Sequence, residues 1–133
     1  MNTLLPLAHL VVTFILDGIK YNAEQFMIEF SQPIDYKGQP QYETKGGQIF
    51  VKLTQAADDN LYYWAKKSTN RKNGTVLFQT DLGMTVLEVT FENSYCANLT
   101  RGINASSGTY TSLTIAPEKI SMNGIDHNNY WPK

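Results

Sequence analysis

The chain has few of the residues on which small metalloproteins and disulfide-bonded proteins depend. It contains one cysteine, Cys96, and two histidines, His9 and His127. One cysteine excludes an intramolecular disulfide framework and any metal site built from several cysteines. The two histidines lie near opposite ends of the sequence and form neither an HxH nor an HExxH motif. The sequence therefore predicts no metal site and no cofactor.

Catalytic motifs are also lacking. Cys96 has no recognisable catalytic sequence around it, and we interpret it as a small side chain. Glu88 and Glu92 share one face of a predicted strand, but four residues at ~3.3 Å each place their Cα atoms about 13 Å apart, beyond the ~5 to 9.5 Å between paired glycosidase carboxylates. Gly46-Gly47 lacks the lysine of a phosphate-binding loop, and no GxGxxG motif occurs. We therefore expect no enzyme activity.

The chain has neither a charge imbalance nor a long apolar run. Its formal net charge is -1, which gives no electrostatic reason to expect nucleic acid or an anionic membrane as a partner. The apolar run near the N-terminus is shorter than the ~20 residues of a membrane span. It also lacks a preceding Lys or Arg and a clear cleavage site. We expect no nucleic-acid binding, no membrane insertion and no signal peptide.

A short amphipathic segment in the middle of the chain predicts one helix. Asp58 or Asp59 can accept hydrogen bonds from the first free backbone N–H groups of this helix. Its apolar residues fall at positions i, i+3 and i+4: Leu61, Trp64 and Ala65. This spacing directs Trp64 inward. After the helix, Asn73-Gly74 predicts a hairpin-like turn with positive φ angles.

The stretch from Leu7 to Leu16 predicts a strand that is apolar on both faces. Such a strand is covered on both sides, so we expect its second face to contact either the helix or a neighbouring subunit. Asp17-Gly18 then predicts a turn. A change of apolar phase near Glu24 or Gln25 predicts a β-bulge in the second strand.

Alternating patterns predict the remaining strands. Inward-facing apolar residues mark two short strands, Ile49, Val51 and Leu53 in the first and Val76 and Phe78 in the second. In the next strand we expect an inner face of Leu87, Val89, Phe91 and Tyr95 and a solvent face of Glu88, Thr90, Glu92 and Ser94. A polar break over residues 98–108 precedes a strand over residues 109–116. The chain is therefore predicted to be mainly β, a single domain over residues 1–133 that forms an antiparallel β-barrel with one short α-helix.

Residues 32–47 lose this periodicity and predict a long loop. It contains prolines, glycines and two tyrosines, Tyr36 and Tyr42. A loop of ~16 residues is longer than a compact domain requires, which favours a binding role. The alternative is a plain connector.

Five segments resemble, in order, the Hcp (TssD) family, the tube protein of type VI secretion systems. They are ILDGIKYNAEQF, KGQPQYETKGGQIFVKL, LYYWAKKSTNRKNGTVLF, TVLEVTFENSYC and TSLTIAPEKISMNGIDHNNYWPK. The resemblance covers about residues 8 to 132. The resemblance implies a homohexameric ring with a central channel, and rings that stack into a tube. It implies a contractile sheath, a spike protein and secreted effectors as partners, with some effectors carried in the channel. It also implies a cytoplasmic protein exported through the secretion apparatus.

The same resemblance suggests where subunits meet. The first strand would help to form the ring or its channel wall, with Val11, Thr13 and Ile15 as candidates. The long loop would reach the next subunit or the next ring, with candidates Tyr36, Lys37, Gln39, Tyr42 and Lys45. Two departures from the family, the extra residues 1–6 and a Ser-rich stretch at 104–108 in place of an acidic loop, leave open a specialised copy of the tube subunit.

Two other classes of function remain open. A monomeric carbohydrate-binding or adhesin-like module would use Trp64, Tyr62 or Trp131 as exposed platforms, although the helix pattern turns Trp64 inward. An enzyme in a small barrel would need convergent polar groups in a pocket, and the spacing of polar residues predicts none.

Overall fold

Eight antiparallel strands and one helix make up the part of the chain that the structure describes. The structure is a computed structural model and describes residues 9–31 and 45–131. The elements in chain order are β1 (Val11–Leu16), β2 (Ile19–Ser31), β3 (Lys45–Leu53), α1 (Asp59–Lys66), β4 (Lys72–Gln79), β5 (Thr85–Asn104), β6 (Gly108–Ala116), β7 (Lys119–Met122) and β8 (Ile125–Asn128).

Six of these strands pair in a closed circuit. The order is β4-β1-β2-β3-β6-β5, and a further pairing of β4 with β5 completes the circuit. The 20-residue β5 makes this closure possible. Its first half pairs with both β4 and β7, whereas its second half pairs with β6. The mainly β antiparallel fold with one short helix is therefore confirmed.

The core fills the space inside this circuit. It contains the predicted inward residues of β3 and β4, all of them buried, together with the aromatic rings of Phe14, Trp64 and Phe91. The ring of Phe91 is stacked with Phe14 on one side and with Trp64 on the other, at centroid distances of 6.0 and 6.3 Å. This row of rings connects β1, β5 and α1 through the middle of the domain.

The turn and the bulge predicted around β2 are both confirmed. Asp17 and Gly18 have positive φ angles of 52° and 78° and join β1 to β2 as a two-residue turn. The register of β2 against β3 shifts between Ala23 and Gln25. The shift changes which residues face the core, because side chains alternate along a strand.

The helix begins and packs as its sequence predicts. Asp58 is the N-cap, and its carboxylate accepts a hydrogen bond from the N–H of Leu61 at 3.0 Å. The same carboxylate accepts the hydroxyl hydrogen of Tyr21 at 2.8 Å. Burial is the main reason why the pKa of Tyr21 rises to about 12. A hydrogen bond from Asn60 opposes this rise, and the Asp58 carboxylate contributes to it. These contacts fix α1 to the end of the circuit where β1 turns into β2.

The helix does not cover the outer face of β1. Its buried residues, Leu61 and Trp64, belong to the same core cluster as the inward-facing Phe14 and Leu16. Helix cover was one of two explanations for the apolar outer face of β1. The remaining hypothesis is that a neighbouring subunit covers this face.

The predicted turn at Asn73-Gly74 is wrong. Both residues lie within β4, and Gly74 is not among the glycines with positive φ. Its role is to allow close approach, because a Cβ at Gly74 would lie 2.3 Å from Cζ of Phe91 and 2.7 Å from the carbonyl oxygen of Ile15. The glycine is therefore explained by packing between three strands.

The predicted faces of β5 hold only for its first half. Val89 and Phe91 are buried as expected, but Asn93 adopts a positive φ of 50° and shifts the alternation. Ser94, predicted to face solvent, is fully buried, and Cys96 is buried too. Tyr95, expected inward, is only half-buried.

Two further boundaries differ from the predictions. Most of the polar break over residues 98–108 is regular strand, because β5 continues to Asn104 and β6 begins at Gly108. The last three residues of the predicted loop, 45–47, belong to β3. The β7–β8 hairpin was not predicted, although Asn123-Gly124, with φ angles of 50° and 87°, is a typical signal for such a turn.

Candidate assembly surfaces

One side of a four-stranded sheet has no layer of described residues over it. The sheet consists of the strands β2, β3, β6 and β5 in that order. One of its sides faces the core. The other side, called here the bare face, carries a row of side chains that crosses all four strands: Met27, Phe50, Thr114 and Asn98. Met27 is 55% exposed.

Charge on the bare face is sparse and only partly paired. Glu29, opposite Gln48, is an exposed carboxylate for which the described residues provide no ion pair. Lys52 lies 3.7 Å from the Glu24 carboxylate and 4.7 Å from the centre of the Tyr110 ring. The Tyr110 ring lies over Gly102, where an added Cβ would meet it at 2.2 Å. Around these groups the face presents the neutral side chains of Asn98, Thr100, Ser112 and Thr114. The bare face is therefore polar and carries few charges, with an apolar row at Met27 and Phe50.

The same sheet has a partly unpaired strand at each edge. In β2, residues 25–31 pair with β3, but the pairing with β1 stops at Ala23. In β5, residues 95–104 pair with β6, but the pairing with β4 stops at Ser94. Within the described residues, both stretches lack a strand on their second side. Unpaired strand edges are templates for pairing with another chain.

The helix and the end of β8 lie next to the unpaired part of β5. The indole N–H of Trp64 donates to the carbonyl of Ser94 at 3.0 Å. The guanidinium of Arg71 lies over the Trp131 ring at 4.6 Å and over the Tyr95 ring at 5.5 Å. Trp64 is fully buried and Trp131 is engaged by Arg71, so neither forms the open platform that a carbohydrate-binding module requires.

The predicted interface residues of β1 lie on its outer face. Val11 is 48% exposed, while Thr13 and Ile15 are half-buried. Val11 stands next to the point at which β2 loses its partner strand, because the pairing of β1 with β2 begins at Val12 and Ala23. The structure therefore places Val11 beside one of the two unpaired edges.

The predicted loop residues lie largely outside the described ranges. Tyr36, Lys37, Gln39 and Tyr42 fall in the undescribed stretch 32–44. Lys45 is the first residue of β3. Ser31 and Lys45 are paired, so the loop leaves and re-enters the domain at one point.

An apolar groove opens at the end of the domain opposite to the helix. Its volume is about 480 Å³, and it is called here the β7–β8 groove. Its lining is mainly apolar and consists of Phe30, Leu87, Ile120, Met122 and Ile125, together with the polar residues Asn123, Asp126 and His127. The rings of Phe30 and His127 meet edge to face at 5.1 Å. Sequence reasoning missed this surface because it did not predict the β7–β8 hairpin.

The titratable groups that the structure describes offer little basis for nucleophilic catalysis or metal binding. Burial raises the pKa of the Cys96 thiol to about 11, and the thiol donates a hydrogen bond to the carbonyl of Asn98 at 3.3 Å. A protonated, buried thiol is a poor nucleophile. The described ranges contain no group of three or more His, Cys, Asp or Glu side chains that could hold a metal ion. None of the helices found there is long and apolar enough to span a membrane.

Comparison with known proteins gives one family. The model of the hemolysin-coregulated protein family, Hcp (TssD), matches residues 8–132. No curated protein matches the chain.

Solved structures share the fold. Hcp1 from Flavobacterium johnsoniae has a TM-score of 0.81 at 24% identity and covers 90% of this chain and 99% of its own. Hcp1 from Salmonella typhimurium has a TM-score of 0.70 at 9% identity and covers 86% of this chain and 85% of its own. A protein in the six-fold symmetrised baseplate of the anti-feeding prophage has a TM-score of 0.56 at 15% identity, covering 94% and 99% of the two chains.

Proposed function

Because this chain belongs to the Hcp (TssD) family of type VI secretion tube proteins, we propose that six copies close into a ring and that such rings stack to form the tube. We treat residues 1–133 as one domain in this assembly. The pair of unpaired edges on one sheet carries the proposal. The six-fold symmetry of the baseplate that contains a similar protein supports the number of subunits.

The two edges are suited to closing a ring. They lie at opposite borders of the four-stranded sheet, residues 25–31 at one and residues 95–104 at the other. A contact between two different surfaces of the same chain is head-to-tail, and it closes a ring when the rotation between copies permits. In the proposed ring, β2 of one subunit pairs with β5 of the next, and Val11, beside the β2 edge, joins this contact. Thr13 and Ile15 extend it along the outer face of β1.

The shape of the domain determines which face lines the channel. On one side of the sheet lie the core, β1, β4 and α1. This side of the domain is wider than the sheet alone, so it fits the longer outer circumference of a ring. The sheet therefore forms the inner wall, with its bare face toward the channel. Six four-stranded sheets with strands ~4.8 Å apart give a circumference of about 115 Å and a diameter of about 37 Å, which strand tilt would increase.

The remaining partners follow from the family. We propose that the contractile sheath surrounds the tube, that the spike protein caps it, and that effectors travel inside. The bare face, which is polar and carries few charges, would contact this cargo. The loop candidates Tyr36, Lys37, Gln39, Tyr42 and Lys45 would contact the next subunit or ring. We propose that the protein resides in the cytoplasm until it is exported by the secretion apparatus.

The test is the mass of the protein in solution, measured by light scattering and followed by electron microscopy of the same peak. One chain weighs 15.0 kDa, so six weigh about 90 kDa, and annular particles at that mass would support the ring. A particle of one chain at every concentration would contradict it and favour a monomeric binding module. The measurement should be repeated with purified baseplate components, because some rings assemble only on a template.

A further inference from the structure

The turn between β5 and β6 carries one apolar side chain into solvent. Ile103 is 76% exposed. The turn that follows it, residues 104–108, contains only small or uncharged side chains. It is ordered by the Asn104 carboxamide, whose oxygen accepts hydrogen bonds from the N–H of Ser106 at 2.9 Å and from its hydroxyl at 2.7 Å. The result is a narrow, uncharged tip with an isoleucine at its base.

The tip and the β7–β8 groove lie at opposite ends of the same strand. Ile103 lies near the end of β5 and Leu87 near its beginning. Sixteen residues at ~3.3 Å each separate them by roughly 50 Å, so a chain cannot place its own tip in its own groove. A second copy displaced along the strand direction can.

Both features also lie on the same side of the sheet. Alternate residues of a strand point to the same side of its sheet. Leu99 packs on the core, and Arg101 donates a hydrogen bond to the Tyr62 hydroxyl of the helix at 3.3 Å, so Ile103 also points to the core side. Phe30, in the groove, contacts His127 on the core side. If strand edges close the ring, the strands run along its axis and their ends face the neighbouring rings. Displacement along the axis therefore brings the tip of one ring to the level of the grooves of the next ring, on the same side of the sheet.

We propose that the Ile103 tip of a subunit in one ring inserts into the β7–β8 groove of a subunit in the next ring. This inference rests on the proposed ring. The occupant is a second copy of this chain, and its isoleucine would contact the apolar part of a lining that also contains Asn123, Asp126 and His127. One isoleucine gives a weak contact, but a ring presents six, and linked weak contacts act together. A head-to-tail contact of this kind propagates without limit.

A chemical cross-link tests the proposal. The variant carries Ile103→Cys and Ile125→Cys, both at exposed positions, so we expect it to fold like the unsubstituted chain. It is treated with a short bis-maleimide and separated on a denaturing gel. Because every subunit offers both thiols, stacking predicts a ladder that continues beyond six chains. A ladder that stops at six would place the contact within a ring and overturn the proposal, as would the absence of a ladder.

A matched pair controls for proximity alone. Ile19→Cys with Ile125→Cys uses another exposed isoleucine at the same end of the domain as the tip, but next to the β1–β2 turn instead of the β5–β6 turn. It should give no ladder beyond six, and a ladder equal to that of the Ile103 pair would overturn the specific contact. The unsubstituted chain, whose one thiol is the buried Cys96, gives the background. Light scattering before cross-linking separates the two proposals: a six-chain ring without a ladder rejects only this contact, whereas a single-chain particle rejects both.

Discussion

Gly74 lies against the ring of Phe91, so that a Cβ at this glycine would fall 2.3 Å from Cζ of the ring. The carbonyl oxygen of Ile15 closes the other side of the same space at 2.7 Å. Phe91 is the central ring of the stack that links β1, β5 and α1. The absence of a side chain at position 74 therefore allows three strands and the helix to share one core.

Gly74→Ala should lower the free energy of unfolding by about 1–3 kcal/mol, as expected when a methyl group is forced into a packed core. The buried ring and the backbone carbonyl cannot both move away. Gly102→Ala is the matched control. Its added Cβ would also overlap a ring, that of Tyr110, but at the outer end of a side chain that can turn away. Urea denaturation of both variants measures the difference, and equal losses would contradict this explanation of Gly74.

Local signals predicted those parts of the fold that depend on neighbouring residues. Asp58 caps the helix, Asp17-Gly18 forms the turn and the phase change near Gln25 marks the bulge, as expected from sequence. Asn73-Gly74 carried a turn signal that tertiary packing overrode. Asn93 contained no recognisable bulge signal, although its positive φ shifts the faces of β5.

The assembly surfaces could not be predicted from the alternation of apolar and polar residues in the sequence. Alternation along β2 and β5 predicts which residues face the core, but not which strand lies beside them. Whether an edge is free depends on where β1 and β4 end relative to those strands, and that is set by tertiary pairing. The β7–β8 groove has the same origin, since Phe30 and Ile125 are distant in sequence. Among the predicted interface residues that the structure describes, Val11, predicted from the two apolar faces of β1, lies beside an edge that is left unpaired.

Alkaline pH should destabilise the domain in part through Tyr21. Its pKa rises from 10.0 to about 12 in the folded state, so the folded protein retains this proton more strongly than the unfolded chain does. The stabilisation is complete below the unfolded value of 10.0 and is lost as the pH rises through about 12. Tyr21→Phe removes the titrating hydroxyl, and the other tyrosines are common to both proteins. The difference in free energy of unfolding between the unsubstituted protein and Tyr21→Phe should therefore fall over this range, and a constant difference would contradict the prediction.

Cys96 should resist thiol reagents in the native protein. It is buried, and with a pKa of about 11 it remains protonated near neutral pH. Modification should therefore wait for unfolding, and its rate should rise with denaturant concentration. The control is Ile103→Cys, which adds an exposed thiol to the same chain and should react with one equivalent at once. Rapid reaction of the unsubstituted native protein would show that Cys96 is accessible.

Charge placed on the two unpaired edges should control ring formation. Met27 on β2 and Thr100 on β5 are both exposed in the single chain, so substitution should leave its folding intact. If these edges pair between subunits, Met27→Lys combined with Thr100→Lys brings like charges together and should shift the assembly toward single chains, since like charges on adjacent strands repel. Met27→Lys combined with Thr100→Glu has the same substituted positions with opposite charges and should restore the ring. Light scattering at low and high salt measures both, because screening should weaken the repulsion. Rings of equal stability in the two double variants would mean that the subunits meet through another surface, and the outer face of β1 would then be the next to substitute.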